Sequence, residues 1–141
     1  MFKIKTLFIA LFVFSFFSLN AQTEIDLIQQ TLMDYIEGTA NGEPERLKRA
    51  FYKDFKLYYI ANDSLNVWSG KHYINNIAPG KKNNRIGRII SIDYENDASS
   101  AKIEIDMPDK KRIYTDYLLL LKYEGRWKII QKSFTYKLYY E

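Results

Sequence analysis

Two periodicities divide this chain. From residue 23 to 38 apolar side chains recur every three or four positions, with Ile25, Ile28, Leu32, Tyr35 and Ile36 on one face. That spacing predicts an amphipathic helix. Thr23 is placed to cap its start, and Gly38 and Asn41-Gly42 to end it. Pro44 suits the first turn of a second, short helix whose inward residues are Leu47, Ala50 and Phe51. Phe55 to Ile60 is an aromatic-rich strand, turned at Asn62-Asp63-Ser64 and returned by Val67-Trp68. A short helix is expected over Lys71–Ile77, followed by a loop around Pro79-Gly80.

Beyond Arg85 the period shortens to two. Strands are expected over about 85–94, 98–107, 112–123 and 126–138, joined by short turns at Asn96-Asp97, Pro108–Lys111 and Glu124-Gly125. Short connections imply an antiparallel meander. Helices followed by a run of strands indicate an α+β fold with helices on one face of a curved sheet.

The turns also set a register. Tyr94 falls opposite Ser99, Ile92 opposite Ala101, Ile90 opposite Ile103 and Arg88 opposite Ile105. The next turn sets Ile103 opposite Asp116 and Ile105 opposite Tyr114; the last sets Leu118 opposite Gln131, Asp116 opposite Ser133 and Tyr114 opposite Thr135. The resulting inner face is apolar near Trp127, Leu120 and Ile129 and polar near Arg88, Tyr114, Asp116 and Ser133. Such a face describes a closed core at one end and a lined pocket at the other. The reverse face carries Lys102, Glu104, Tyr117, Leu119, Leu121, Lys132 and Phe134, and its apolar part is a surface that a partner subunit can cover.

The first residues belong to a different pattern. Lys3 and Lys5 precede an apolar run from Leu7 to Leu19, and Asn20-Ala21-Gln22 follows. A basic start, a 13-residue apolar run and a small residue describe a secretory signal peptide, 1–21. The run falls short of the roughly 20 residues that span a bilayer. The expectation is export to the periplasm or medium, without a stable membrane anchor, of a mature domain 22–141. Of the 141 residues, 21 are Lys or Arg and 17 Asp or Glu. Cleavage would leave 19 basic against 17 acidic side chains, a net charge of +2, too small to argue for nucleic acid. The chain has no Cys and one His. That excludes disulfides, a cysteine nucleophile and a Cys-ligated or multi-His metal site.

The stretch from Thr115 to Ile130, TDYLLLLKYEGRWKII, is similar to the ending of Putative lumazine-binding proteins. Tyr35-Ile36-Glu37-Gly38 followed by Leu47 and Phe51, and Arg88–Ile92 before the strand from Ala98, fit the same pattern. These proteins belong to the nuclear-transport-factor-2-like (NTF2-like) superfamily, with ketosteroid isomerase-like and polyketide-cyclase-like members. The resemblance covers nearly the whole mature chain. It implies a cone-shaped α+β fold, N-terminal helices packed on a strongly curved antiparallel sheet, a cavity between them, and often a homodimer. Fold alone does not fix function.

Within that frame Asp116 is the sharpest candidate. A carboxylate beside Ile103 and Ile90 on an inward face is partly desolvated, as a general base in an apolar cavity must be. The other reading, and the favoured one, is a structural carboxylate held by Ser133, Tyr114 or Arg88. Arg88 either reaches the pocket or extends to water. Tyr114, Gln131 and Ser133 would orient a small organic ligand, and Trp127 would stack on it or simply pack. His72 lies near the expected cavity mouth without a nucleophile to pair with. No phosphate loop or hydrolase elbow is present. Three functions stay open: a cofactor-free small-molecule-binding protein, an isomerase, cyclase or dehydratase using Asp116 as base, and a dimeric interaction module.

Overall fold

Thr23 caps the first helix through a full capping box. Its Oγ1 accepts from the Asp26 backbone N–H and the Asp26 carboxylate accepts from the Thr23 N–H, so two helix-end donors are satisfied at once. The computed structural model describes residues 22–140; the expected signal peptide lies outside the described residues. Helix α1 spans Glu24–Asn41 and ends at Gly42, whose φ of 66° is the left-handed value that terminates helices. Helix α2 (Pro44–Ala50) runs directly into strand β1 (Phe51–Ala61), which starts four residues earlier than the sequence pattern places it. After β2 (Ser64–Ser69), Ser69 caps the short helix α3 (Gly70–Asn75) through the His72 N–H. Strands β3 (Ile86–Glu95), β4 (Ala98–Met107), β5 (Arg112–Tyr123) and β6 (Arg126–Leu138) complete the described chain.

The six strands form one curved sheet in the order β2-β1-β6-β5-β4-β3. Four of the five neighbouring pairs are antiparallel; the exception is β1, which lies parallel to β6. Short turns report only adjacent pairs, so a long-range parallel pairing leaves no local signal. The α1 helix packs over β3 and β6, and α3 against β1. The core between them holds Ile28, Leu32 and Tyr35 from α1, Phe51, Phe55 and Leu57 from β1, and Ile103, Ile105, Leu118, Leu120 and Ile129 from the meander. Gly87 lets α1 approach β3: a Cβ there would meet Ile36 Cγ2 at 2.4 Å. Among the described residues no helix is long and apolar enough to cross a membrane.

Within the β3–β6 meander two β-bulges reset the register. In β3, Ile92 faces Ala101 as expected, but Ile89 rather than Ile90 faces Ile103, and Arg88 faces Glu104. In β6, Ile129 faces Leu120 as expected, but Lys132 rather than Gln131 faces Leu118, and Phe134 rather than Ser133 faces Asp116. One extra residue in each strand, Ile90 and Ile130, exchanges the two faces from that point onward.

Candidate functional site

Asp116 faces the core, fully buried, on the central strand β5. The bulge in β6 brings Lys132 inward beside it, and the helical stripe of α1 delivers Tyr35 from the opposite layer. Tyr35 Oη donates to Asp116 Oδ2 at 2.6 Å. Lys132 Nζ donates to Tyr35 Oη at 2.6 Å and lies 3.0 Å from the same Oδ2. The three side chains form a closed triangle of charge-assisted contacts. Lys132 is only 5% exposed, and its ammonium also lies over rings, 4.9 Å from the Phe134 centroid and 5.0 Å from that of Tyr35. Aromatic faces attract a cation by their quadrupole, more strongly when water is excluded.

Two further polar side chains close around this triangle. Tyr73 comes from α3 and is 8% exposed. Arg85 enters just before β3 and is half-buried. Its position follows from how the preceding loop is tied down. The Asn83 N–H donates to Ala40 O at 2.7 Å, and the Asn83 side-chain amide donates to Thr39 O at 3.2 Å. These bonds satisfy carbonyls at the end of α1 that lack intrahelical partners, and Arg85 follows two residues later.

The cluster perturbs its members. Burial, then the nearby Asp116 charge, raise the Tyr35 phenol well above the usual tyrosine range. Burial works against the Arg85 charge, but the oxygens of Tyr73, Tyr35 and Asp116 outweigh it and raise the guanidinium. Three enclosed atoms remain without a hydrogen-bond partner: Asp116 Oδ1, Tyr73 Oη and Arg85 Nε. Enclosed polar groups are nearly always paired, and leaving one unmet costs about 1–3 kcal/mol. The arrangement offers one anionic acceptor, one cationic donor and one hydroxyl that can do either.

Of the six residues that the sequence pattern assigns to the site, the structure brings two, Asp116 and Tyr114, to this face. Asp116 and half-buried Tyr114 face inward as expected, and Tyr114 packs against Phe134 and Tyr136. Arg88, Gln131 and Ser133 do not join them. The bulges turn all three to the outer face. There Arg88 donates through Nε to Glu104 at 2.9 Å with its side chain 72% exposed. Gln131 and Ser133 border an outer groove of about 420 Å³ with Ser91, Lys102 and Tyr117. Thus neither Arg88 nor Ser133 holds Asp116. Trp127 is buried at the opposite end, where its indole N–H donates to Glu24 Oε2 at 2.8 Å and Thr31 Oγ1 donates to its carbonyl at 3.3 Å. It pins the start of α1 to the β5–β6 hairpin. His72 is exposed, with Nε2 3.1 Å from the Asn76 amide.

Sequence reasoning places Tyr35 inward but without a role, sets Lys132 on the wrong face, and gives Tyr73 and Arg85 no function. A signal for Lys132 exists: each bulge falls on an Ile-Ile doublet, Ile89-Ile90 and Ile129-Ile130. Two adjacent apolar residues break the alternation and permit either one to face the core.

Residues 23–135 match the family described as Putative lumazine-binding. The chain belongs to that family. Solved structures similar to this lumazine-binding-family chain include NTF2-like proteins of unknown function. One from Silicibacter pomeroyi is 20% identical, with a TM-score of 0.70 over 80% of this chain and 95% of its own. Another from Methylobacillus flagellatus is 27% identical, with a TM-score of 0.69 over 85% and 98%. The fold is NTF2-like. A protein of Cladobotryum named Aldolase FrzH is 23% identical over 113 residues, 79% of this lumazine-binding-family chain and 90% of its own length.

Proposed function

We infer that this chain is an exported protein that binds a small organic ligand at the polar cluster between α1, α3 and the sheet. The observation that carries this is the set of three enclosed, unpartnered atoms, Asp116 Oδ1, Tyr73 Oη and Arg85 Nε. Each belongs to a different element, and a ligand with both donors and acceptors would satisfy all three. Tyr35 and Lys132 hold Asp116 Oδ2 and leave Oδ1 for that ligand. The family description names lumazine, a pteridinedione whose edge presents N–H and C=O groups, and such an edge has the complementary pattern. Apolar contacts would come from Ile103, Leu118 and Phe134, and Tyr114 borders the cluster. The apolar outer face of β5 and β6 is proposed to be covered by a second copy of the chain.

A ligand-screen thermal shift tests the site, with wild type compared to Asp116→Asn. Removing the carboxylate leaves Lys132 buried and unpaired, at a cost of about 3–5 kcal/mol. The variant is expected to melt lower and to lose the shift that a heterocycle gives wild type. If no compound in a library containing lumazine and other fused heterocycles raises the melting temperature of wild type, ligand binding is lost as a function.

A second reading rests on the free Oδ1 and on the relative named an aldolase. A carboxylate oxygen held in an apolar site can take a proton from carbon next to a carbonyl. Hydrogen–deuterium exchange at that carbon of a bound ketone, present in wild type and absent in Asp116→Asn, would support it.

A further inference from the structure

The charges of the inner cluster do not balance. Arg85 and Lys132 are cationic, Asp116 is the one acid among them, and Tyr35 and Tyr73 are phenols. Lys132 is paired to Asp116 at 3.0 Å. That leaves Arg85 as the surplus cation, since no carboxylate lies within salt-bridge distance of it among the described residues. Its Nε is enclosed and lacks an acceptor. Tyr73, 92% buried by its 8% exposure, has its hydroxyl unpartnered in the same place. A guanidinium out of water is costly unless an anion and good hydrogen bonds accompany it.

We propose that the ligand carries a carboxylate, which seats on Arg85 and Tyr73 while a ligand N–H or O–H meets Asp116 Oδ1. This rests on the small-molecule reading above and narrows it to an acid with a donor group. The planar guanidinium matches a carboxylate in shape as well as charge. Arg85 suits this task because its main chain is fixed: its N–H donates to Asn83 O at 2.8 Å, and Asn83 is itself bonded to the end of α1. Arg85 lies at the start of β3, beside the loop that connects it to α3, so its side chain joins the exposed segment to the buried triangle. A single negative charge brings the five-residue cluster to neutrality.

The test uses matched pairs of probes that carry a hydroxyl donor, 3-hydroxybenzoate, 6-hydroxynicotinate, 6-hydroxy-2-naphthoate and 4-hydroxyphenylacetate, each beside its neutral amide. At saturating concentration a carboxylate of the set is expected to raise the melting temperature of wild type by about 3 °C or more, and its amide to raise it much less. Arg85→Gln is expected to weaken carboxylate binding about tenfold or more, as loss of a charge-assisted bond does, and Arg85→Lys to restore part of it. Because Arg85→Gln removes a half-buried cation that has no ion pair among the described residues, it should fold. The Arg85 Nε–H resonance of the wild-type protein gives a readout free of any substitution, and it should shift on adding the carboxylate and stay with the amide. Amides that stabilise as well as acids, or an Arg85→Gln protein that keeps the full shift, would overturn the anion assignment and leave the binding reading standing. If no probe of either kind binds, the carboxylate assignment is lost, and the heterocycle library above decides the binding reading.

Discussion

Tyr35 serves two charges with one hydroxyl. It donates to Asp116 and accepts from Lys132, so its loss affects both. Tyr35→Phe should cost about 1–3 kcal/mol near neutral pH, the range for leaving buried polar partners unmet. Its phenol also couples stability to alkali. The folded protein holds the Tyr35 proton above the ordinary value of 10.0. Above that pH the unfolded chain loses the proton and the folded chain keeps it, so stability falls as pH rises. Below it, both states are protonated and the contribution is complete. One such group gives a slope of about 1.4 kcal/mol per pH unit. Urea unfolding between pH 9 and 11.5 should therefore show a shallower decline for Tyr35→Phe than for wild type. Equal slopes would mean that Tyr35 ionises as readily folded as unfolded. At this scale the helix-facing half of the site is legible in sequence, because Tyr35 sits on an apolar stripe of period 3.6. Its cation is not: Lys132 faces inward through a bulge that local turn chemistry does not specify.

The elements explain why some positions were legible and others were not. Turns with φ > 0 at Asn62, Asp63, Asn96, Glu124 and Gly125 lie at the expected hairpins; Asn, Asp and Gly tolerate or favour that conformation, and Glu124 adopts it beside Gly125. Register follows correctly from each turn as far as the next irregularity. It then fails for Arg88 on β3 and for Gln131 and Ser133 on β6. An Ile-Ile doublet leaves the choice of inward residue to tertiary packing, which α1 decides. The loop between α3 and β3 has no periodicity to read, yet it positions Arg85. Its anchor includes Gly42, where φ is 66° and an added Cβ would meet Ala78 O and Lys81 O at 2.6 Å. Gly42→Ala should destabilise by at least about 1–3 kcal/mol, the range for a non-glycine residue in the left-handed region. Chemical denaturation measures this; a change below about 0.5 kcal/mol, typical of an exposed surface position, would show that the loop moves aside without cost.

For the molecule as a whole, the outer sheet face remains open to a partner. Tyr117 is 54% exposed, Leu119 46% and Leu121 42%, with the Lys102 ammonium over the Tyr117 ring. Asp93 and Lys102 border the neighbouring groove, so opposite charges are available for a self-complementary two-fold contact. Native mass spectrometry of the protein recovered from a secreting host should give twice the mass of residues 22–141. Leu119→Lys should halve it. A single-copy mass at high concentration would remove the dimer, and retention of residues 1–21 would remove the cleaved leader.

The place of β6 carries a consequence for how the protein is made. It follows β5 in the chain but lies between β5 and β1 in the sheet. Until it is available, the β1–β2 hairpin and the β3–β5 meander have no shared edge, and Lys132 is missing from beside Asp116. Native contacts must then form across a wide sequence separation, which slows folding. On the export route proposed above, that delay is an advantage: strand order itself would postpone the core until residues up to 138 are available.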